Sequence, residues 1–264
     1  MENADIEQKV AAHYTQGNVT ARIVQALGLE PDDYGRVSVE TLFPLDQLHH
    51  GGVALTEKLA KAAGIGAGMT LLDAGAGIGG AARFLADRFG TRVEAVDLSE
   101  EFVATAKELD RIVGLSGKIT HRVASVTALP FDEMTFDAVW SQNVTMNVPD
   151  KAAMFAEAFR VLRPGGVYVL SHLAETGRAA LDYPLPWAMT AETSFATAPG
   201  MILQHLADAG FDRVTDHAAG APPPRRRCRP KVSLRTISRW APICQGAAQT
   251  LCTLSAMGVL CRCW

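Results

Sequence analysis

An α/β architecture, a doubly wound and mostly parallel sheet behind an N-terminal helical cap, is predicted by three observations. From Met69 onward short β-rich runs alternate with amphipathic stretches. A glycine loop, "GAGIGG", follows the first run and opens a helical stretch. Before Met69 the apolar residues recur at helical spacing instead.

Taken in order, Val10, Tyr14, Val19, Ile23 and Leu27 mark a helical segment over 1–27 with Gly28 as its stop, and a second helix covers 51–63 and ends at Gly64. The expected strands are 70–73, 92–97, 119–124, 136–141 and 166–171. Helices near 79–89, 100–113 and 150–162 lie between them, and another follows at 199–209. Strands and helices in that rhythm give a Rossmann-like sheet covered on both faces, whose ligands bind at the carboxyl ends of the strands. Residues 211–217 supply a sixth strand. Nothing after 230 reads as a seventh, so the C-terminal strand is expected to be missing or aberrant.

With 264 residues, 48% of them hydrophobic, the chain can bury one α/β domain with additions. The reading divides it into a helical cap (1–64), a ligand-binding domain (65–219) and an atypical tail (220–264). No apolar run approaches the length that spans a bilayer, and "MENADIEQKV" is acidic and polar, so a cytoplasmic protein without a membrane partner is expected.

The charge is unevenly placed. Residues 1–216 hold all 28 acidic side chains and 17 of the 25 basic ones, a net −11, while residues 217–264 hold eight basic side chains and no acidic one. All five cysteines lie in the last 37 residues. The segment "GAPPPRRRCRP" reads as a linker, because three prolines cannot continue a helix or a strand ladder. Three readings of the tail stand: a basic arm for an anionic surface, a metal site from Cys252, Cys261 and Cys263, or an out-of-frame translation of GC-rich DNA. The spacing of the cysteines lacks paired C-x-x-C and nearby histidines, so no metal is expected. The abrupt loss of acids and of periodicity favours the shifted frame.

The glycine loop carries the chemistry. Gly75, Gly77 and Gly80 satisfy G-x-G-x-x-G, a spacing that lets the backbone turn tightly and approach a ligand at a helix N-terminus. Asp73, two residues earlier at the strand end, would repel a pyrophosphate and attract an ammonium group. S-adenosylmethionine, with its α-ammonium and sulfonium, suits that carboxylate better than a dinucleotide, which disfavours a nicotinamide-dependent oxidoreductase. Asp97, ending the next strand in "VEAVDLS", is placed to accept hydrogen bonds from ribose hydroxyls, a feature of both nucleotide classes.

The pieces "LLDAGAGIGG", "VEAVDLS", "ASVTALPFDEMTFDAVWSQ" and "EAFRVLRPGGVYVLS", in that order over about 65–216, resemble a class I S-adenosylmethionine-dependent methyltransferase. "PLDQLHHGG" and "VWSQNVTMNVPDK" are similar to its small-molecule branch, the sarcosine/dimethylglycine, phosphoethanolamine and tocopherol-type methyltransferases. The resemblance implies methyl transfer from S-adenosyl-L-methionine to an amine, hydroxyl or carbon of a small molecule, leaving S-adenosyl-L-homocysteine. It also places Asp73, Gly75 and Gly77 at the methionine end, Asp97 at the ribose, Leu98 on one adenine face, and Ser125 and Val126 at the adenine edge. Ser125 stands where many relatives have Asp. "SQNV" replaces the Asn/Asp-Pro-Pro-aromatic motif of enzymes that methylate DNA bases, so nucleic acid is not the expected acceptor.

Several residues have two readings. Gln142 and Asn143 stand where the substrate or the methionine end should lie. His49, followed by two glycines, is the candidate base or substrate orienter; the alternative is a surface or helix-cap histidine. Tyr14 is a lid residue or core, His172 ends the fifth strand on the ligand side or is structural, and Trp187 walls a substrate lid or sits in an ordinary loop. Asn147 reads as a turn cap before Pro149. A base is required only if the nucleophile sheds a proton early.

Overall fold

The computed structural model describes residues 2–15, 17–175, 181–216 and 254–262. Four helices precede the sheet: α1 (Glu2–Tyr14), α2 (Val19–Leu27), α3 (Val39–Asp46) and α4 (Gly52–Ala63). The single helical segment expected over 1–27 is therefore two helices. The break falls at Gly17 and Asn18, whose φ angles of +72° and +65° lie in the left-handed region, where a helix cannot continue. α3 has no counterpart in the sequence reading, because eight residues with Pro44 inside give little helical signal. α4 ends at Gly64 as expected, with its backbone N–H returned to the last turn.

The remaining elements are β1 (Thr70–Ala74), α5 (Gly80–Arg88), β2 (Arg92–Asp97), α6 (Glu100–Ile112), β3 (Ile119–Val123), β4 (Phe136–Gln142), α7 (Lys151–Val161), β5 (Leu162–Glu175), α8 (Pro199–Asp208), β6 (Arg213–Asp216) and β7 (Leu254–Arg262). Seven strands form one sheet in the order β3-β2-β1-β4-β5-β7-β6. The first five run parallel, and β7 enters antiparallel between β5 and β6. This corrects the expectation of a missing last strand. All nine residues of β7 pair with Val167–Glu175, and Val259–Arg262 pair with β6 on the other side. The strand escaped detection because "LSAMGVLCR" has no alternation of apolar and polar residues.

The linker reading of 220–230 and the position of Cys252 lie outside the described residues. Among the described residues no cluster is placed to hold a metal ion, and no helix is long and apolar enough to cross a membrane.

Strand alternation sends successive side chains to opposite faces. Leu71, Val93, Ala138 and Trp140 join a core with Leu59 of α4, Phe84 of α5 and Leu109 of α6, and this core includes Ile23 and Leu42 of the cap. Leu72, Val96, Val139 and Leu170 join another with Phe155 of α7 and Leu206 of α8. Trp140 is fully buried, and its truncation to alanine would cost about 3–5 kcal/mol. The strand order reverses between β1 and β4, where a ligand cleft is expected to open.

Candidate functional site

That cleft opens above the carboxyl ends of β1, β2 and β4. Its lining includes Asp73, Gly75, Gly77, Asp97, Leu98, Val126, Gln142 and Asn143 from the sheet side, and Tyr14, Asp46 and His49 from the cap.

Gly75 and Gly77 have φ angles of +83° and +56°. Gly75 N–H and Ala76 N–H both donate to the Val96 carbonyl at 2.9 Å, which ties the loop to β2. A Cβ on Gly75 would lie 2.4 Å from Val144 Cγ2, so a side chain is excluded there. Gly80 is restricted by a different neighbour: a Cβ would sit 2.2 Å from the Asp46 carbonyl oxygen, because the end of α3 lies against the start of α5.

Asp97 accepts from Gly77 N–H on Oδ2 at 2.8 Å and from Ser99 N–H on Oδ1 at 2.9 Å. Burial holds its carboxyl above the usual range, and those backbone donors oppose the rise. Asp73 is 2% exposed and its Oδ2 has no hydrogen-bond partner. Burial, then the neighbouring Asp97 charge, push it up to about 7. An unpartnered, buried acceptor lining a cleft is a place for a ligand's donor.

The cap side is joined to β4 by side chains. Gln142 Oε1 accepts from Trp140 Nε1–H at 2.8 Å and from the Thr56 hydroxyl at 3.1 Å, while its Nε2 lies 3.4 Å from His49 Nδ1. Burial lowers the His49 pKa. Asn147 Nδ2 donates to Tyr14 Oη at 2.7 Å, and its Oδ1 is a second unpartnered buried acceptor. Both residues line the cleft, so Asn147 faces the site rather than capping a turn. Burial pushes the Tyr14 phenol up to about 12.

Three candidates stand apart from this lining. Ser125 Oγ donates to Glu7 Oε1 of α1 at 2.5 Å and accepts from Thr127 N–H, so its hydroxyl is engaged by the cap. His172 is 1% exposed and interior to β5, which continues to Glu175; it does not end the strand. Trp187 Nε1–H donates to Ser194 Oγ, and the ring closes a small apolar cluster with Met146, Leu173 and Leu185.

Sequence reasoning missed Arg83 and Lys151. Arg83 is fully buried: Nε and Nη2 donate to Asp46 Oδ2 at 3.2 and 3.0 Å, Nη1 to Asp110 Oδ1 at 2.9 Å and Nη2 to the Ile78 carbonyl at 2.6 Å. One guanidinium thus ties the cap, the glycine loop and α6 together. Lys151 Nζ donates to the carbonyls of Val148 and Phe195 at 2.9 and 2.7 Å, and burial lowers its pKa to about 8. Only the combination "GGAAR", an arginine on the apolar side of α5, hinted at the first.

Residues 72–170 match the family described as "Methyltransferase domain". Over that stretch the chain is similar to a methyltransferase domain. Outside that domain model the likeness continues: the chain is 31% identical over 167 residues to sarcosine/dimethylglycine N-methyltransferase of Halorhodospira halochloris, covering 62% of this chain and 60% of that one. It is 31% identical over 137 residues to phosphoethanolamine N-methyltransferase 1 of Arabidopsis thaliana, covering 52% of this chain and 28% of that one. The chain therefore spans less than two thirds of these relatives. A solved geranyl diphosphate methyltransferase in complex with GPP and sinefungin superposes with a TM-score of 0.66 at 24% identity, covering 98% of each chain, which shows a shared fold.

Proposed function

We propose that this protein transfers a methyl group from S-adenosyl-L-methionine to a small-molecule nucleophile, an amine, hydroxyl or carbon, and not to nucleic acid. The observation that carries the reading is Asp73: a buried carboxylate oxygen with no partner, beside a glycine loop and above a second acid at the next strand end. That donor-poor, acid-lined pocket fits a cofactor with an ammonium group and a ribose. It fits a nicotinamide dinucleotide poorly, since a pyrophosphate on the loop would meet Asp73 in a site shielded from water.

Bound there, S-adenosyl-L-methionine supplies an electrophilic methyl group on a sulfonium. Asp73, Gly75 and Gly77 hold its methionine end, Asp97 its ribose, and Leu98 and Val126 its base. In-line displacement needs alignment and exclusion of water more than covalent help, and α1 supplies both by laying Val10, Ala11 and Tyr14 over the cleft. Asn147 and Tyr14 offer a free carbonyl and a phenol to orient the acceptor. His49, its pKa lowered by burial, is neutral near pH 7 and can take a proton.

Calorimetric titration with S-adenosyl-L-homocysteine, with NADH in parallel, tests this reading. Saturable binding of the first ligand alone, lost in Asp97→Ala, is expected. Binding of NADH in its place by the folded protein overturns the reading.

A further inference from the structure

We infer that His49 is held as the tautomer protonated on Nε2, that Nδ1 is therefore the nitrogen that accepts a proton, and that Gln47 and Thr56 are the positioning residues that fix this choice.

Two anchors with only one possible hydrogen-bonding role set the direction of the bonds at Nε2. The first is the Asp46 carboxylate, which can only accept. Its Oδ2 faces Arg83, and its Oδ1 accepts from Gln47 Nε2 at 2.8 Å. The Gln47 amide cannot flip without setting its carbonyl against that carboxylate. Its Oε1 is thus the atom 3.1 Å from His49 Nε2, and an acceptor there requires a donor on the ring. The second anchor is the Trp140 indole N–H, which can only donate. It fixes Gln142 Oε1 in place, so the Thr56 hydroxyl donates to that same oxygen. With its proton committed, Thr56 presents a lone pair to His49 Nε2 at 3.3 Å. Both chains demand Nε2–H. Each ends in a fully or almost fully buried group, Asp46 at 2% and Trp140 at 0% exposure, so water does not readily exchange these roles.

Nδ1 meets one donor and one acceptor, so in the neutral ring the two acceptors on Nε2 outweigh the single one on Nδ1. Gln142 Nε2 carries the donors of the pinned amide and lies 3.4 Å away, facing a lone pair in the neutral ring. The His50 carbonyl, 3.2 Å from Nδ1, accepts a hydrogen bond from Nδ1–H once the ring is charged. The ionisable side chains nearest His49 are Asp46, already engaged by Arg83, which favours the imidazolium, and His50, which opposes it. The catalytic consequence rests on the methyl-transfer reading. As the acceptor's electron pair forms its bond to the methyl carbon, the carbon–sulfur pair leaves with sulfur. The acceptor's proton goes to Nδ1 and then to water.

Proton–nitrogen correlation NMR of the histidine rings in the full chain tests the tautomer directly, with His49→Gln identifying the signal among the seven histidines. Above the pH at which the ring titrates, the wild-type spectrum should show Nε2 protonated and Nδ1 bare. A predominantly Nδ1-protonated ring overturns the inference. In Gln47→Leu combined with Thr56→Val, the Nδ1-protonated form should rise to a readily detected share; an unchanged tautomer in a folded double variant overturns the positioning role. Gln47→Leu alone should lower kcat about tenfold with little change in KM. The methyl-transfer reading fails separately, by loss of cofactor binding, and the NMR result does not depend on it.

Discussion

On the strand-end side of the cleft, Asp73, Gly75, Gly77 and Asp97 are held by backbone turns and by backbone bonds to the neighbouring strand, such as Gly75 N–H to the Val96 carbonyl at 2.9 Å. On the cap side, Thr56, His49 and Tyr14 meet β4 and its following turn through side chains separated by 86, 93 and 133 residues. A wall built by backbone tolerates side-chain substitution nearby, because main-chain donors remain whatever the residue. The side-chain wall is as sound as its weakest partner. The difference suits the proposed function, in which one side holds a nucleotide and the other chooses the acceptor.

The most damaging way to break the cap side is Arg83→Met. It takes the guanidinium from two buried carboxylates, leaving Asp46 with Gln47 and Asp110 with His121, and breaking a buried pair by removing one partner costs about 3–5 kcal/mol. Urea unfolding should show that loss, whereas the exposed pair Arg88–Glu40 should cost under about 1 kcal/mol when broken by Arg88→Ala.

His49→Ala separates the two walls. It should lower kcat about 100-fold while the affinity for S-adenosyl-L-homocysteine stays within about twofold. On the proposed base role the neutral ring is the active form, so kcat should fall as pH drops below a midpoint that lies under the usual imidazole value. A pH profile flat through that range would remove His49 from catalysis.

Asp73→Asn probes the strand-end wall. Affinity for S-adenosyl-L-homocysteine should fall about 10–100-fold, the scale of one lost charge-assisted hydrogen bond. The ligand-free variant should nevertheless be the more stable protein at pH 8. Asp73 has a folded pKa of about 7, above its ordinary value, so its favourable contribution is present at low pH and lost as pH rises toward 7. Unfolding curves at pH 5 and pH 8 check the sign.

The smallest effect is also the most specific. An ammonium group arriving at Asp73 favours the carboxylate and expels its proton, so binding near pH 7 should release about half a proton. Calorimetry in buffers of different ionisation enthalpy measures that release, and Asp73→Asn should abolish it.

These two walls were not equally legible in the sequence. "LLDAGAGIGG" and "VEAVDLS" announce Asp73, Gly75, Gly77 and Asp97 because strand, turn and helix are local in the chain. Parallel strands buried on both faces also read as short apolar runs, so their positions along the chain followed. Asn147, Arg83 and Thr56 gave no such signal, since their roles depend on which distant residue arrives beside them. The ends of elements failed for related reasons. β5 begins and ends beyond 166–171, and His172 consequently lies inside it. β7 lacks any period and is recognisable only by the two strands that flank it.

The contact between the Asp46 carbonyl and Gly80 has a consequence for engineering. No side chain fits between them, so the cap and the glycine loop are machined to one clearance. A chimera that imports a relative's cap to change the acceptor must import the matching start of α5 as well. The cap of this protein can be recombined only in units that cross the boundary between α3 and α5.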